Sequence, residues 1–475
     1  MGQEIADSHF TDHDFQHFSQ CLRKETALLE SWFQQHRLAA ESSIGGFELE
    51  AWLVDIDGLP APINQVYLES LRHPLVVPEL SVFNVELNTP ERPLRGDVLR
   101  RMEADLAELW KYCAAKARAF NATLAMIGIL PTVREQELTL DSMSRWERYR
   151  ALNEQVLRLR RGQPLRLDIR GGEALCTEHS DVMLEAATTS FQIHLQVKAS
   201  EAAAFFNAAL MLSAPMVAAT ANSPFLFGRQ LWQETRIPLF EQAVAVGGDI
   251  AGDAPVYRRV TFGSGYLQSS LLELFQENLA HYPPLLPHCH DTAPEDLHHL
   301  RLHNGTIWRW NRPLIGFGRD GTPHVRIEHR VVPAGPSIAD SIANAALFYG
   351  LVHALADVPA WPALSFAQSR ANFYAAAKDG LRAEVLWRDA KVSLRQLLLT
   401  ELLPLAKQGL ATLAIAEADI AYYLGIIEAR IGSEQTGSRW QQAFVDRHGR
   451  DMQALTLAYL ECQRSGLPVH EWALP

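Results

Sequence analysis

Four stretches of the sequence alternate reactive polar side chains with apolar ones. The stretch GGFELEAWLVD carries Glu48 and Glu50 two residues apart, among Phe47, Leu49 and Ala51. Because successive side chains of a β-strand point to opposite faces, residues two apart share a face. The same reasoning predicts polar faces in three more strands, made of Asn84, Glu86 and Asn88; of Gln192, His194, Gln196 and Lys198; and of Arg326, Glu328 and Arg330.

Polar and apolar residues also alternate in an antiparallel sheet that has one face in solvent. For any single strand, a solvent-exposed face explains the pattern at least as well as a functional site does. Solvated faces, however, carry mainly Lys, Thr, Ser and charges of mixed sign. These four faces carry carboxylates, amides, arginines, one histidine and one lysine. The shared selection predicts a polar cavity lined by a curved sheet.

The carboxylates of this predicted cavity are Glu48, Glu50, Glu86 and Glu328. Brought together, they would repel one another unless cations neutralised them, and clustered carboxylate oxygens suit hard divalent ions such as Mg²⁺. Arg326 and Arg330 flank Glu328 on the same face, where they can bind phosphate oxygens or a substrate carboxylate. Cations and arginines on one surface are typical of phosphoryl transfer, in which positioning and charge neutralisation supply most of the catalysis.

The elements that must position these faces are predicted from hydrophobic periodicity. Strands are predicted at 44–54, 81–89, 122–129, 189–198, 258–264, 306–311 and 325–331, with a turn at Asp320–Gly321. Helices are predicted at 15–35, 94–120, 145–161 and 201–219, whereas 162–187 has no clear assignment. Beyond Ser337 the patterns are helical (338–356, 366–377, 394–407, 417–431 and 440–462), without a convincing strand. The fold class is therefore α+β without a βαβ rhythm. The predicted units are an N-terminal helical segment at 1–40, a catalytic domain at 41–336 and a helical region at 337–475 packed on it.

Composition limits the possible partners. The chain has 475 residues and a net charge of −12, which argues against a nucleic-acid partner because phosphate neutralisation needs a basic surface. Its five cysteines are scattered and lack CxxC spacing, as expected of reduced thiols in a cytoplasm. We find no signal peptide and no apolar run approaching the ~18 residues of a membrane span. We therefore expect a soluble cytoplasmic protein without a membrane partner, and a homo-oligomer is possible.

Six segments occur in an order that resembles a known family. They are GFELEAWLVD, VELNTPERP, SFQIHLQV, ANSPFLFGRQLWQETRIPLFEQ, HNGTIWRWNRP and VRIEHR, spread over about residues 40 to 350. Together they resemble the glutamate–cysteine ligase type 2 group, the ATP-dependent carboxylate–amine ligases of the glutamine synthetase-like superfamily. The resemblance implies an antiparallel sheet curved into a funnel that holds ATP and two or three Mg²⁺ ions. It also implies that the γ-carboxylate of glutamate is phosphorylated and then attacked by an amine such as cysteine, as in glutathione biosynthesis.

The resemblance also assigns roles to individual residues. It implies metal ligands at Glu48, Glu50, Glu86, His194 and Glu328. Arg330, in the E-x-R pattern with Glu328, is implied to contact the phosphate or acyl phosphate, so this pair is expected to be catalytic. Substrate or phosphate binding is expected of Gln192, Gln196, Arg326, Arg229 and Arg236, the last two in a segment that matches the family's substrate-anchoring region more loosely.

Several alternatives stay open. The chain could be a nucleotide or amino-acid sensor on the same scaffold, or a phosphotransferase with a non-glutamate substrate, and the sequence shows no readable amine pocket. Glu79 could add a metal ligand. The segment PHCHD (residues 287–291) could bind zinc, although such clusters are usually incidental. Trp308 or Trp310 could stack on adenine or simply pack in the core, and GGDIAGD (residues 247–253) favours a loop over a phosphate cradle.

Overall fold

A curved antiparallel sheet lies at the centre of the chain in the computed structural model, which describes residues 4–5, 8–246, 258–356 and 364–473. The strands of the chain are β1 Ile44–Asp55, β2 Val76–Pro78, β3 Asn84–Asn88, β4 Arg92–Pro93, β5 Ala122–Ala125, β6 Leu165–Arg170, β7 Ala174–His179, β8 Phe191–Val197, β9 Phe225–Leu226, β10 Arg229–Gln230, β11 Val260–Thr261, β12 Trp308–Arg309, β13 Asn311–Phe317, β14 Pro323–His329, β15 Glu384–Trp387 and β16 Ala390–Ser393. The central sheet has the order β13-β14-β8-β1-β3-β2, and β4 and β5 also pair with β1. Every one of these pairs is antiparallel. The predicted α+β fold with a curved antiparallel sheet is confirmed.

Helices surround this sheet. They are α1 Asp12–Gln34, α2 Asn64–Leu71, α3 Val98–Ala117, α4 Glu147–Leu159, α5 Ala202–Thr220, α6 Arg236–Ala243, α7 Leu272–His281, α8 His298–Gly305, α9 Ile338–Ala356, α10 Phe366–Asp379, α11 Leu394–Leu397, α12 Leu403–Thr412, α13 Glu417–Ser433, α14 Gly437–His448 and α15 Met452–Ser465. One hydrophobic core includes Phe18, Leu49 and Leu347, which come from the three predicted units. The division at residues 40 and 336 stays a prediction.

The register of the sheet puts the polar residues of neighbouring strands side by side. Glu50 in β1 lies opposite Glu86 in β3, and Glu328 in β14 lies opposite His194 in β8. Directly opposite residues of an antiparallel pair point to the same face of the sheet. The polar side chains of the neighbouring strands therefore form one continuous polar face. The apolar residues between them, such as Leu49 in β1, are buried on the other face.

Helices α5 and α9 cover the apolar face. They pack on each other, α5 packs on β13 and β14, and α9 packs on β8. At the contact, the Tyr349 hydroxyl of α9 donates to the backbone carbonyl of His194 over 3.1 Å. A Cβ at Gly45 would lie only 2.6 Å from the Tyr349 hydroxyl, so this close approach of helix and strand requires glycine.

Both helices are long and apolar enough to cross a membrane by length and composition alone, with hydropathies of 1.6 for α5 and 1.3 for α9. The expectation that no apolar run approaches spanning length is therefore too strong. In the structure 78% of the apolar window of α5 and 89% of that of α9 are buried inside the protein. A helix that is apolar all round is explained by burial between a sheet and other helices.

The C-terminal region differs from the prediction in two places. A hairpin, β15–β16, interrupts its helices, with a two-residue turn in which Arg388 and Asp389 have φ of 48° and 63°. Positive φ at both positions is usually signalled by Asn-Gly or Asp-Gly, and the sequence Arg-Asp lacks that signal. The helix predicted at 440–462 is two helices, since the chain turns at Gly449, whose φ is 85°.

The unassigned stretch 162–187 also contains a hairpin, β6–β7, closed by a turn at residues 171–173. It ends in a short helical turn, Met183–Ala187, which carries Glu185 toward the polar face of the central sheet. A single helical turn has no hydrophobic period, so the sequence pattern gives no sign of it.

Candidate active site

Three strands of the central sheet bring Glu48, His194 and Glu328 together. One ligand atom from each side chain lies within 4.8 Å of the other two, and all three residues are buried. His194 Nε2 lies 3.4 Å from an oxygen of Glu48 and 3.4 Å from an oxygen of Glu328. We call these residues the ligand triad. Among the described residues it is the single group of three such side chains found this close together.

The ligand triad fits a divalent cation. His194 Nε2 is buried and makes no hydrogen bond, although it lies between two carboxylates. A buried polar atom without a hydrogen bond costs free energy, which a cation that contacts all three side chains would offset. Two carboxylate oxygens and one imidazole nitrogen form a donor set that suits Mg²⁺ or Mn²⁺ with additional oxygen ligands.

Further carboxylates line the polar face beside the ligand triad. They are Glu50, Glu79, Glu86 and Glu185, which we call the acidic wall. Burial, reinforced by the charge of Glu79, raises the pKa of Glu50 from 4.5 to about 7, against the opposing effect of Arg330 and of hydrogen bonds from Ser190. Burial and the charges of Glu48 and Glu79 raise the pKa of Glu86 well above its usual range. The surrounding protein therefore does not fully compensate these carboxylates when they are ionised, and bound cations would supply the missing positive charge.

Two arginines neutralise Glu328. Arg312 Nε and Nη2 donate to its two oxygens over 2.7 and 3.0 Å, and Arg330 Nη1 donates to one of them over 3.0 Å. Burial by itself would raise the pKa of Glu328, but Arg312, Arg330 and His194 hold it well below its usual value. Arg330 Nη1 also donates to Gln192, whose amide nitrogen donates to Glu50 over 2.9 Å. This network fixes Arg330 between the ligand triad and the acidic wall.

The polar face forms the floor of a cleft with about 1500 Å³ of empty space, which includes its open mouth. Arg148, Arg301 and Arg326 also line it, and Arg326 Nε is buried without a hydrogen bond. The cleft also has apolar walls, made of Leu80, Leu152, Phe275, Leu286, Leu300, Leu302, Trp308, Leu314 and Ile315. Charged donors beside an apolar wall suit a ligand that combines phosphates with a flat ring.

The cleft brings together most of the predicted site residues. Those that line it are Glu48, Glu50, Glu86, Gln192, Arg326, Glu328 and Arg330, and His194 lies between Glu48 and Glu328 at its floor. Glu79, considered as an additional ligand, lines it too. Of the two tryptophans, Trp308 lies in the wall, whereas Trp310 is 1% exposed and donates to Glu241 over 2.8 Å.

Three predicted binding residues lie elsewhere. Arg229 is exposed, 3.9 Å from Glu173. Arg236 is buried with Glu234, and its guanidinium donates to the backbone carbonyls of Arg330, over 3.2 Å, and Val331. Gln196 donates to the carbonyl of Glu41 over 3.3 Å, beyond the residues that line the cleft. These three residues do not line the cleft, and their roles in binding substrate stay predictions. In the structure Arg236 binds the backbone carbonyl of Arg330.

The sequence reasoning missed other residues of the cleft, namely Arg148, Tyr149, Glu185, Arg301 and Arg312. For Arg312 a signal existed. With the turn at Asp320–Gly321, extension of the preceding strand pairs Arg312 with Glu328, as the structure has it. Glu185 and Arg301 lie on a short helical turn and on α8, so their position follows from tertiary packing.

Two other motifs have different outcomes. Cys289 and His290 of PHCHD line a second, separate cleft with Cys21 and Glu25 of α1. In the described part of the chain these side chains do not form a group as close as the ligand triad, and zinc there gains no support. The segment GGDIAGD at 247–253 lies outside the described residues.

Comparisons with known proteins identify a family and a similar fold. The sequence matches the family model "Glutamate-cysteine ligase family 2" over residues 44–461. The fold is similar to that of a glutamate–cysteine ligase from Francisella tularensis solved in complex with AMP, with a TM-score of 0.56, 12% identity, and coverage of 92% of this chain and 91% of that one. It is also similar to a bifunctional glutathione synthetase from Pasteurella multocida, with a TM-score of 0.55 and 10% identity, covering 93% of this chain and 55% of that one. The comparison with the sequences of curated proteins gives no match.

Proposed function

The chain belongs to the glutamate–cysteine ligase family 2, which makes it an ATP-dependent ligase, and from that premise we propose the chemistry of its cleft. We propose that it phosphorylates the γ-carboxylate of glutamate with ATP and joins the product to an amine, of which cysteine is the first candidate. The observation that carries the proposal is the ligand triad, in which the buried His194 Nε2 makes no hydrogen bond and lies 3.4 Å from carboxylate oxygens of both Glu48 and Glu328.

The acidic floor of the cleft would hold the cations. The ligand triad and the acidic wall supply carboxylates on both sides of Arg330, enough for two Mg²⁺ ions or more. Bound there, Mg²⁺ would neutralise phosphate charge and so lower the barrier to attack by a carboxylate. We propose that the apolar wall with Trp308 receives the adenine ring of ATP.

The arginines of the cleft would orient the reacting groups. Arg330 is fixed by Glu328 and Gln192 at the junction of ligand triad and acidic wall, where its remaining donors can stabilise the transferred phosphoryl group. Arg326, with a buried Nε that makes no hydrogen bond, is suited to a phosphate or to the α-carboxylate of the substrate.

Amide formation also requires a proton acceptor, because an attacking amine becomes acidic as its bond to the carbonyl carbon forms. Burial and the charges of Glu79 and Glu50 raise the pKa of Glu185 well above its usual value. Cations bound by the neighbouring carboxylates would favour the ionised form of Glu185, and a carboxylate in such a buried place is then a stronger base than a solvated one. We propose Glu185 as the acceptor, and release of phosphate then completes the reaction.

Location and partners are part of the same proposal. All five cysteines are free thiols, in keeping with a reducing cytoplasm. The proposed partners are small molecules, namely ATP, glutamate and an amine, and a homo-oligomer stays a prediction.

A test of the proposal is Mg²⁺-dependent ADP release from ATP with glutamate and a panel of amines that includes cysteine. We expect turnover to require both the carboxylate and an amine, and to be lost in Glu48→Gln. Glu173→Gln is the matched control, since Glu173 pairs with Arg450 outside the cleft.

Two results would replace the proposal by its alternatives. ATP binding without turnover on any pair would favour a sensor on the same scaffold. ADP release with another acceptor, and none with glutamate, would favour a phosphotransferase or ligase of different substrate class.

A further inference from the structure

Arg312 is bound to the ligand triad through a single partner. It lies directly opposite Glu328 in the β13–β14 pair, and its fork engages both oxygens of that carboxylate at 2.7 and 3.0 Å. Its third donor, Nη1, reaches the carbonyl of Gly305 over 3.3 Å. Two parallel charge-assisted hydrogen bonds of this kind are strong and geometrically specific.

These bonds occupy the atoms that a cation would need. One oxygen of Glu328 accepts from Arg312 and Arg330, and the other accepts from Arg312 and lies 3.4 Å from His194 Nε2. A divalent cation held by the ligand triad must take at least one of these oxygens, and its charge repels a guanidinium bound to the same carboxylate. Arg312 and a cation therefore compete for Glu328.

The two arginines on Glu328 differ in their freedom to move. Arg330 is fixed by a second bond, to Gln192, and by Arg236 beneath its backbone carbonyl. Arg312 lines the cleft, and apart from its bonds to Glu328 its guanidinium makes one long hydrogen bond, to the backbone carbonyl of Gly305. Because Arg312 borders the open cleft, its guanidinium can turn into the cleft once it leaves Glu328.

We propose that Arg312 is an exchangeable counter-charge that keeps the ligand triad neutralised until cation and nucleotide arrive together. This inference rests on the proposed cation site. When the cation takes Glu328, the guanidinium fork of Arg312 turns into the cleft and binds phosphate oxygens of the nucleotide. Cation and nucleotide thereby promote each other's binding. The cation compensates the charge of Glu328 when Arg312 leaves it, and the nucleotide phosphates compensate the charge of Arg312.

The test measures binding of Mn²⁺, whose free concentration is read from its electron paramagnetic resonance signal. Wild type and Arg312→Met are titrated with Mn²⁺ alone and again with a non-hydrolysable ATP analogue. Arg312→Met removes the competitor, so we expect it to bind Mn²⁺ alone about tenfold more tightly than wild type, the scale of one charge-assisted hydrogen bond. We also expect the analogue to tighten Mn²⁺ binding in wild type by a larger factor than in Arg312→Met.

The matched control is Arg326→Met, which removes the same charge from the same face without removing a bond to Glu328. It should change the affinity for Mn²⁺ alone by about twofold at most, as expected of a charge effect without a direct contact. Arg312→Lys keeps the charge but not the two parallel hydrogen bonds, so its affinity for Mn²⁺ alone should lie between those of wild type and Arg312→Met. If Arg312→Met does not fold, Arg312→Lys is compared with wild type instead.

Two results would overturn the inference in distinguishable ways. In the first, wild type, Arg312→Met and Arg312→Lys bind Mn²⁺ alone with equal affinity, and Glu48→Gln does not bind it. This result would reject the exchange of Arg312 for a cation but leave the cation site supported. Absence of Mn²⁺ binding in every form, with the analogue present, would reject both the exchange and the cation site on which it rests.

Discussion

Two regions of this protein bury charge, one behind the central sheet and one on its polar face. Behind the sheet, Asp340 of α9 pairs with Arg430 of α13 over 2.7 Å. The other oxygen of Asp340 accepts from Ser337 over 2.8 Å and from the backbone of Val469 over 3.0 Å. One carboxylate meets one guanidinium, and the hydrogen bonds join three segments of the chain.

On the polar face, the charges do not balance. Its carboxylates are Glu48, Glu50, Glu79, Glu86, Glu185 and Glu328, and its guanidinium groups are Arg148, Arg301, Arg312, Arg326 and Arg330. Burial and mutual repulsion raise the pKa of Glu50, Glu86 and Glu185, and His194 Nε2 has no hydrogen bond. The comparison teaches that a balanced buried pair is part of the architecture, whereas clustered carboxyl groups with raised pKa values mark a place where ligands can supply the missing charge.

Of the substitutions considered, Glu328→Gln should have the largest effect, and that effect should be on catalytic activity. It removes a charge from the ligand triad, so we expect kcat/KM to fall about 10³-fold, the scale of losing one electrostatic contact to the transition state. The charge of Glu48 still acts on Arg312, and those of Glu48 and Glu50 on Arg330, so the free energy of unfolding should fall less than it does in Asp340→Asn. Steady-state kinetics and urea denaturation of the same preparation check both statements. Near-wild-type activity would show that the ligand triad is not the cation site.

Asp340→Asn should have the opposite signature. Removal of one partner leaves Arg430 buried with an uncompensated charge, which costs about 3–5 kcal/mol. We expect the free energy of unfolding to fall by that order while activity per folded molecule stays close to wild type. Chemical denaturation and active-site titration measure the two quantities. A large loss of activity in the folded fraction would mean that the two regions are coupled.

Addition of Mg²⁺ should stabilise the wild type. A cation that binds only the folded chain adds about 2.7 kcal/mol at a hundred times its dissociation constant. We expect the midpoint temperature of thermal unfolding to rise when Mg²⁺ is added and to return to its original value when a chelator removes the ion. The rise should be smaller in Glu48→Gln. Equal responses in wild type and Glu48→Gln would point to cation binding outside the ligand triad.

The smallest predicted effect is a pH dependence of the cation-free protein. The pKa of Glu50 is raised from 4.5 to about 7, so the folded chain holds a proton that the unfolded chain releases in this window. Stability then decreases as pH rises from 4.5 toward 7, and since Glu50 is half-buried and solvent screens part of the interaction, we expect about 1 kcal/mol. Glu50→Gln should flatten this part of the profile. Unchanged pH dependence would assign the proton to another carboxylate.

The floor of the cleft was predictable because it lies on regular strands. A period of two places Glu48 and Glu50 on one face, and the same rule applies to Glu86, Gln192 and Glu328. Arg312 was within reach of the same reasoning, once the strand before the turn at Asp320–Gly321 is extended far enough to pair it with Glu328.

Other parts of the structure depend on packing that no local pattern encodes. Glu185 comes to the cleft on one helical turn, and Arg301 on a helix whose orientation is set by α1 and α7. Arg236, predicted to bind substrate, is buried and donates to the backbone carbonyl of Arg330, a contact that periodicity does not encode. The β15–β16 hairpin was missed because its turn, Arg388–Asp389, lacks the glycine that usually announces it.

The central claim is that a carboxylate is activated by phosphorylation in this cleft. It is tested most directly with glutamate labelled with ¹⁸O in the γ-carboxylate, incubated with ATP, Mg²⁺ and the amine that gives turnover. Formation of an acyl phosphate followed by attack of the amine at its carbonyl carbon transfers one ¹⁸O to each phosphate released, as mass spectrometry of the phosphate would show. Amide formation with unlabelled phosphate would contradict the account.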